Sequence, residues 1–99
     1  MLHLKTVVSR KTPLDGRLEI PEGFAQRLSA GDVPLSVLLY GEETLVRVEE
    51  MACTCAKGAG GNHVHRFLSC DVLKALPTGA NVELTVDEDE GLIRIELEP

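Results

Sequence analysis

The chain has 99 residues, which is a typical length for one domain, and 43% of them are hydrophobic, enough for a single core. With no Trp, one Tyr and two Phe, that core must be built from Leu, Val and Ile. No apolar run approaches the length of a membrane span or of a signal-peptide core, so we expect a cytoplasmic protein with no membrane contact. Three cysteines without a secretory signal argue against a disulfide framework.

The net charge of −6 argues against indiscriminate nucleic-acid binding, which usually needs a basic surface. The charge is unevenly distributed, however. Residues 5–17 and 57–66 together carry a net +5, so the rest of the chain carries −11. Much of that negative charge lies at Glu42, Glu43 and residues 87–90. The acidic run at 87–90 is typical of a solvated turn. The sequence therefore allows an acidic protein with one basic edge.

Two similar units make up the chain. Residues 45–49 (LVRVE) match residues 92–96 (LIRIE) at an offset of 47. Upstream, Phe24 and Leu28 match Val72 and Leu76 at an offset of 48. We therefore expect a single domain, residues 1–99, made of units at about 1–50 and 51–99.

The first unit begins with a β-type run at residues 4–9. A turn-rich loop at 10–16 predicts a hairpin connection to a strand at 17–20. Pro21 then starts a short helix with Phe24 and Leu28 on one face. Residues 33–40 and 44–50 predict a closing hairpin.

The second unit repeats this order. A strand at 51–56, a Gly-rich loop at 57–62 and a strand at 63–68 lead to a helix with Ser69 as its N-cap. A hairpin of residues 80–86 and 92–98 follows. The predicted fold is mainly β with two short helices, a β-β-α-β-β tandem repeat, because two such units can close a barrel and protect its strand edges.

Residues 8–21 (VSRKTPLDGRLEIP), followed by residues 28–32 and a hairpin, resemble the AbrB–MazE–MraZ family of DNA-binding domains. In these domains a basic first strand leads through an acidic-Gly-Arg turn into an apolar strand and a helix that begins with Pro. The chain is similar to MraZ proteins in organisation, because they carry two such units. The resemblance implies a double-split, swapped-hairpin β-barrel that acts as a transcriptional regulator or antitoxin.

The resemblance implicates the cations of the first hairpin in binding double-stranded DNA, since Arg can hold a phosphate or a guanine edge with two hydrogen bonds. The second unit lacks the Asp-Gly-Arg turn and the Ile-Pro helix start, so its contribution is smaller. We expect both cationic turns to lie along one rim. An ion pair between Arg17 and Asp15 is the structural alternative for that arginine. The implicated residues are Lys5, Arg10, Lys11 and Arg17, with Lys57 and Arg66 in the second unit.

The alternative function is a non-enzymatic barrel that binds a metal or a protein, such as a toxin, and has lost DNA binding. The chain would be a monomeric pseudo-dimer or a homodimer in either case.

A Cys–His pattern in the second unit suggests a zinc site. Cys53 and Cys55 share one face of a strand, and so do His63 and His65. If Cys55 lies opposite His63, then Cys53 lies opposite His65, which assembles a Cys₂His₂ ligand set. The alternative is that the cysteines are buried hydrophobes and the histidines lie at the surface. The same atoms offer a thiol nucleophile and a base, but no oxyanion hole accompanies them, so we expect no enzyme.

Overall fold

A computed structural model describes residues 2–29, 34–52 and 64–98 and shows a mainly β protein. In chain order, the elements are β1 (Leu2–Val7), α1 (Lys11–Asp15), β2 (Arg17–Ile20), α2 (Glu22–Ser29), β3 (Ser36–Leu39), β4 (Glu42–Leu45), β5 (Arg47–Ala52), β6 (Val64–Ser69), a 3₁₀ helix (Asp71–Ala75), β7 (Asn81–Asp87) and β8 (Leu92–Leu97). None of the helices within these ranges is long and apolar enough to cross a lipid bilayer.

The strands form two sheets in which the two halves of the chain are interleaved. The larger sheet has the order β1-β7-β8-β3-β4, and the smaller sheet has the order β2-β6-β5. The β7–β8 hairpin therefore lies between two strands of the first half, and β6 lies between two others. All of these pairings are antiparallel except that of β3 with β8, which is parallel. Each sheet needs strands from both halves.

Two predictions for the start of the chain need correction. The segment at 10–16 is not a simple turn-rich loop, because it contains α1, in which the buried Thr12 donates its hydroxyl proton to the Arg17 carbonyl at 2.8 Å. The predicted β1–β2 hairpin is also wrong, since β1 pairs with β7 and β2 pairs with β6. Both strands instead find partners from the second half. The strand at Arg17–Ile20 and the helix after Pro21 are confirmed.

The predicted strand at 44–50 is divided into two strands. A tight turn at Tyr40 and Gly41, both with positive φ, joins β3 to β4. The chain then bends at Val46, whose amide donates to the Leu35 carbonyl at 3.0 Å, and continues as β5 in the smaller sheet. The repeated sequence motif thus forms a bend in the first half and one continuous strand, β8, in the second.

The second half also differs in detail from the prediction. Its helix is a 3₁₀ helix with Cys70 at the N-cap position, and Ser69 is the last residue of β6 rather than the N-cap. The first two residues of the predicted strand at 51–56 complete β5, and the other four lie outside the described residues. The final hairpin is confirmed as β7 and β8.

The two sheets are not closed into a barrel. Among the described strands, β1 and β2 each pair on one side only. A groove of about 320 Å³ lies beside them, lined by Thr6, Val7, Ser9, Glu19, Ile20 and Pro21. The apolar faces of both sheets nevertheless cover one aliphatic core, as the composition predicts. Its fully buried members include Leu18, Val37, Leu39, Leu68, Leu73, Leu76, Val82, Leu84, Val86 and Ile93.

Gly16 joins α1 to β2 where the chain passes closest to β6. Its φ is +70°, and its carbonyl accepts a hydrogen bond from the Cys70 amide at 2.9 Å. A Cβ atom at this position would lie 2.6 Å from the Cys70 carbonyl oxygen. Since both contacts involve backbone atoms, no side chain can move to make room.

Gly16→Ala should therefore lower the free energy of unfolding by about 2 kcal/mol or more, because a left-handed backbone penalty is added to a steric overlap. Urea denaturation measures this loss. Gly41→Ala is the matched control, since Gly41 has φ +78° but no atom within 4 Å of the added Cβ. The control should lose only about 1 kcal/mol. Equal losses would show that the contact with Cys70 is unimportant.

Candidate nucleic-acid interface

The outer face of the smaller sheet carries a row of polar side chains at one end. Alternate residues of a strand point to opposite faces, so the buried Leu18 and Leu68 mark the core side and their neighbours point outward. Arg17 and Arg47 are both opposite Ser69, one on each side of it. The pairing thus brings two arginines, 30 residues apart in the chain, onto one face of the sheet, where they flank Ser69.

Glu49 is shared by these two arginines. Its Oε1 lies 3.0 Å from Arg17 Nε, and its Oε2 lies 3.6 Å from Arg47 Nη2. The hydrogen bond from Arg17 lowers the pKa of Glu49 from its ordinary value, and a hydrogen bond from Ser69 acts in the same direction against the effect of burial. One carboxylate therefore partners two guanidinium groups.

Helix α1 adds two further cations beside this row. Lys11 Nζ lies 5.1 Å from the centre of the Phe67 ring, within the range of a cation–π contact. Phe67 is 1% exposed but points to the outer face of the sheet, so the lysine helps to cover it. Arg10 precedes α1, is exposed and makes no ion pair with any residue that the structure describes. It is available to an external anion.

The 3₁₀ helix brings a fifth cation to the same end. A Cβ at Gly16 would lie 3.5 Å from Lys74 Cγ, so this lysine packs beside the α1–β2 junction. Its ammonium group is 3.7 Å from the Asp71 carboxylate, and both groups are largely exposed. We call the five cations and their carboxylates the basic end. It comprises Arg10, Lys11, Arg17, Arg47 and Lys74 with Asp15, Glu49 and Asp71, five positive and three negative charges.

The opposite end of the smaller sheet is acidic. Helix α2 follows Ile20 just as α1 precedes Arg17, so the two helices lie at opposite ends of β2. At the α2 end, Arg66 contacts Glu50 and Glu22, and the hydrogen bond that Arg66 donates to Glu50 raises the pKa of Arg66. Glu88, from the acidic turn after β7, pairs with Arg27 of α2 at 3.0 Å. The fold thus separates positive from negative charge along the small sheet.

The structure brings only part of the predicted DNA-contacting set together. Arg10, Lys11 and Arg17 share the basic end, and Arg17 also lies 3.9 Å from Asp15, as the structural alternative predicted. Lys5 lies on the larger sheet and pairs with Glu98 at 3.4 Å. Arg66 is 16% exposed, faces the core side and pairs with two carboxylates at the acidic end, so it does not join the others.

Lys57 lies outside the described residues, so its predicted place on a shared rim stays a prediction.

Sequence reasoning missed Arg47 and Lys74. The repeat aligned Arg47 with Arg94, which is an exposed residue on the outer face of the larger sheet. Only the pairing of β5 with β6 places Arg47 beside Arg17, and no local pattern predicts a pairing between distant strands. Lys74 lies in the predicted second helix, and no motif in the sequence distinguishes it.

The Cys–His pattern is only partly described. Cys53, Cys55 and His63 lie outside the described residues, and the predicted pairing of His65 with Cys53 is wrong because His65 lies opposite Met51. The His65 Nδ1 atom lies 2.8 Å from Glu19 Oε2. This contact orients the ring, and Nε2 has no partner among the described residues, as in many metal-binding histidines. Within the described ranges, no three potential ligands group together.

A surface cavity of about 430 Å³ adjoins the basic end. It is lined by Thr44, Leu45, Arg47, Ser69, Cys70 and Asp71. Arg47 at its rim is 80% exposed, and the buried Cys70 forms part of its wall. The cavity gives the basic end a concave portion next to the exposed Arg47.

Comparison with known proteins finds no matching family model, no matching curated protein and no matching solved structure. The resemblance of residues 8–21 to AbrB–MazE–MraZ domains therefore stays a prediction from the sequence.

The Glu49 cluster predicts a pH-dependent stability. A carboxyl group whose pKa is lower in the folded than in the unfolded protein stabilises the fold above its unfolded pKa, and this stabilisation is lost as the pH falls through the folded pKa. Glu49→Gln should therefore lower the free energy of unfolding at pH 7 by less than about 1 kcal/mol, since the group is partly exposed. Chemical denaturation at a series of pH values should show this difference shrinking below pH of about 4.5. A difference that grows on acidification would contradict the assignment.

The Cys–His pattern predicts about one zinc ion per chain, bound through thiolate and imidazole. Elemental analysis of the purified protein measures it, and the Cys53→Ser/Cys55→Ser variant should lose the metal. Metal-free protein whose melting temperature does not change with chelator would exclude the site.

Proposed function

We propose that the protein is a DNA-binding transcriptional regulator or antitoxin-like module of the AbrB–MraZ type. Its basic end binds double-stranded DNA. The observation that carries this proposal is the sharing of Glu49 by Arg17 and Arg47, with Arg10, Lys11 and Lys74 around them. The chain is acidic overall and would be repelled by DNA. The local excess of cations at the basic end is therefore the feature that supports DNA binding.

The exposure of these cations suits them to phosphate binding. Arg47 is 80% exposed, Lys74 is 50% exposed, and Arg10 has no acidic partner among the described residues. The contact between Arg47 and Glu49 is long at 3.6 Å, so exchange of the carboxylate for a phosphate costs little. Arg17, which is two-thirds buried and bonded at 3.0 Å, serves mainly to hold Glu49 in place.

The acidic remainder of the chain favours one orientation on DNA. A duplex carries one negative charge per about 1.7 Å of its axis, so carboxylates at the α2 end repel it while the basic end attracts it. Charge separation of this kind steers association and limits nonspecific contacts elsewhere on the surface. The protein therefore approaches DNA with α1 and the 3₁₀ helix leading.

The proposal retains the swapped-hairpin barrel as the architecture and the cytoplasm as the location. Support for the architecture comes from the interleaving of the two halves, in which β6 lies between β2 and β5, and β7–β8 lies between β1 and β3. Exchange of hairpins between similar units requires this kind of mixed pairing.

Fluorescence anisotropy with a labelled random duplex tests the proposal at low salt. If about three phosphates are neutralised, the affinity should fall roughly 40-fold between 50 and 200 mM salt. Arg10→Ala and Arg47→Ala should each weaken binding and reduce the salt dependence by about one counterion. The matched control is Arg94→Ala, an exposed arginine on the larger sheet that should leave binding unchanged.

Glu49→Gln provides a test in the opposite direction. Removal of the shared carboxylate frees both arginines, so the affinity for DNA should rise several-fold while Arg94→Ala has no effect. Absence of binding at low salt, or an equal loss from Arg94→Ala and Arg10→Ala, would exclude the basic end as a DNA-binding surface.

A further inference from the structure

The larger sheet ends in two strands whose outer edges are unpaired among the described strands, β1 on one side and β4 on the other. An unpaired edge presents backbone N–H and C=O groups to solvent, and natural proteins usually cover or block it.

The backbone of β1 directs alternate residues toward its free edge. The Val8 amide donates to the Ala80 carbonyl at 2.8 Å, and the Val8 carbonyl accepts from the Gly79 amide, so Val8 faces β7. Antiparallel hydrogen bonding alternates along a strand, which turns the backbone groups of His3, Lys5 and Val7 outward. Their side chains are exposed on the outer face of the sheet.

The backbone of β4 shows the same alternation. The Val46 amide donates to the Leu35 carbonyl at 3.0 Å, so Val46 faces β3. The backbone groups of Glu43 and Leu45 therefore face the free edge. Both side chains lie on the outer face, because their partners across β3 are Leu38 and Ser36 rather than the buried Val37 and Leu39.

The two edges match in direction and in charge. β1 and β4 run in opposite directions in the sheet. If a second copy in the same orientation lies beside the free edge of β4, its β1 strand is therefore antiparallel to β4. In the register that places Lys5 opposite Glu43, the charges are complementary and Leu45, which is 70% exposed, comes to lie beside His3. In this register the backbone groups at the free edge of β1 lie opposite those at the free edge of β4. The side chains that face the core in each molecule stay on the same side of the continued sheet.

We propose that a second copy of this chain docks its β1 edge against the β4 edge, so that the larger sheet continues from one molecule into the next. A pair of β1 edges centred on Lys5 opposes two lysines, and a pair of β4 edges centred on Glu43 opposes two glutamates, so the pairing of β1 with β4 is the one with complementary charges. The groove beside β1, lined by Val7 and Ile20 among others, leaves room at the end of that strand. The association is head-to-tail and is independent of DNA binding.

The contact between Lys5 and Glu98 within one molecule does not prevent this docking. The distance is 3.4 Å and Lys5 is 70% exposed, so the lysine exchanges one carboxylate for another at little cost. The contact is small, and the association should therefore be weak and depend on concentration.

Analytical ultracentrifugation of the full chain, from about 10 µM to about 1 mM in low salt, tests the proposal. The weight-average mass should rise with concentration. Lys5→Glu and Glu43→Lys should each weaken association by about five- to tenfold, because a favourable cross-strand pair becomes a repulsive one. The double variant Lys5→Glu/Glu43→Lys should return to within about threefold of the original, since the pair is restored with its charges exchanged.

Arg94→Glu is the matched control, because Arg94 lies on the same outer face but in the interior strand β8. It should leave association unchanged, and circular dichroism with thermal melting shows whether each variant is folded. If a single variant fails to fold, the double variant and the control still decide the outcome. A strictly monomeric chain at about 1 mM would overturn the proposal, as would association that the charge reversals leave unaltered or that the double variant fails to recover.

Discussion

The insertion of β6 between β2 and β5 is the constraint on which the rest of the molecule depends. It places Ser69 between Arg17 and Arg47, and it turns Phe67 outward under Lys11. A shift of one residue in either pairing would reverse which side chains face the core. The buried leucines on the other face oppose such a shift, since it would expose them to water. Packing of the core therefore determines the charge pattern of the surface.

Charge separation follows from this pairing rather than from composition. The chain is acidic overall, yet α1 and the 3₁₀ helix bring lysines to the end of the sheet where Arg17 and Arg47 meet. At the other end, Glu22 and Glu50 neutralise Arg66. The single negative charge of Glu49 only partly neutralises the two arginines. It reduces the repulsion between them in the absence of a ligand. An anion that binds such a surface requires little conformational change, because the side chains are already held in place.

Local sequence patterns were sufficient to predict the elements that depend on interactions between nearby residues. The β7–β8 hairpin, β2 and helix α2 were predicted because alternation of apolar residues, turn residues and a helix-starting proline act over short distances. Pairings between distant strands were not predictable in this way. The predicted β1–β2 hairpin was wrong because α1 separates the two strands and each of them pairs with a strand from the other half. The same limit hid Arg47, whose role depends on a neighbour 30 residues away.

Amide chemical-shift mapping by NMR tests the central claim most directly. Titration of the labelled protein with a short duplex in low salt should shift the resonances of Arg10, Lys11, Arg17, Arg47 and Lys74 in a saturable manner. Resonances of Lys5, Arg27 and Arg94, which are exposed cations elsewhere on the surface, should stay in place. Shifts centred on those three residues, or no shifts at all, would contradict the account.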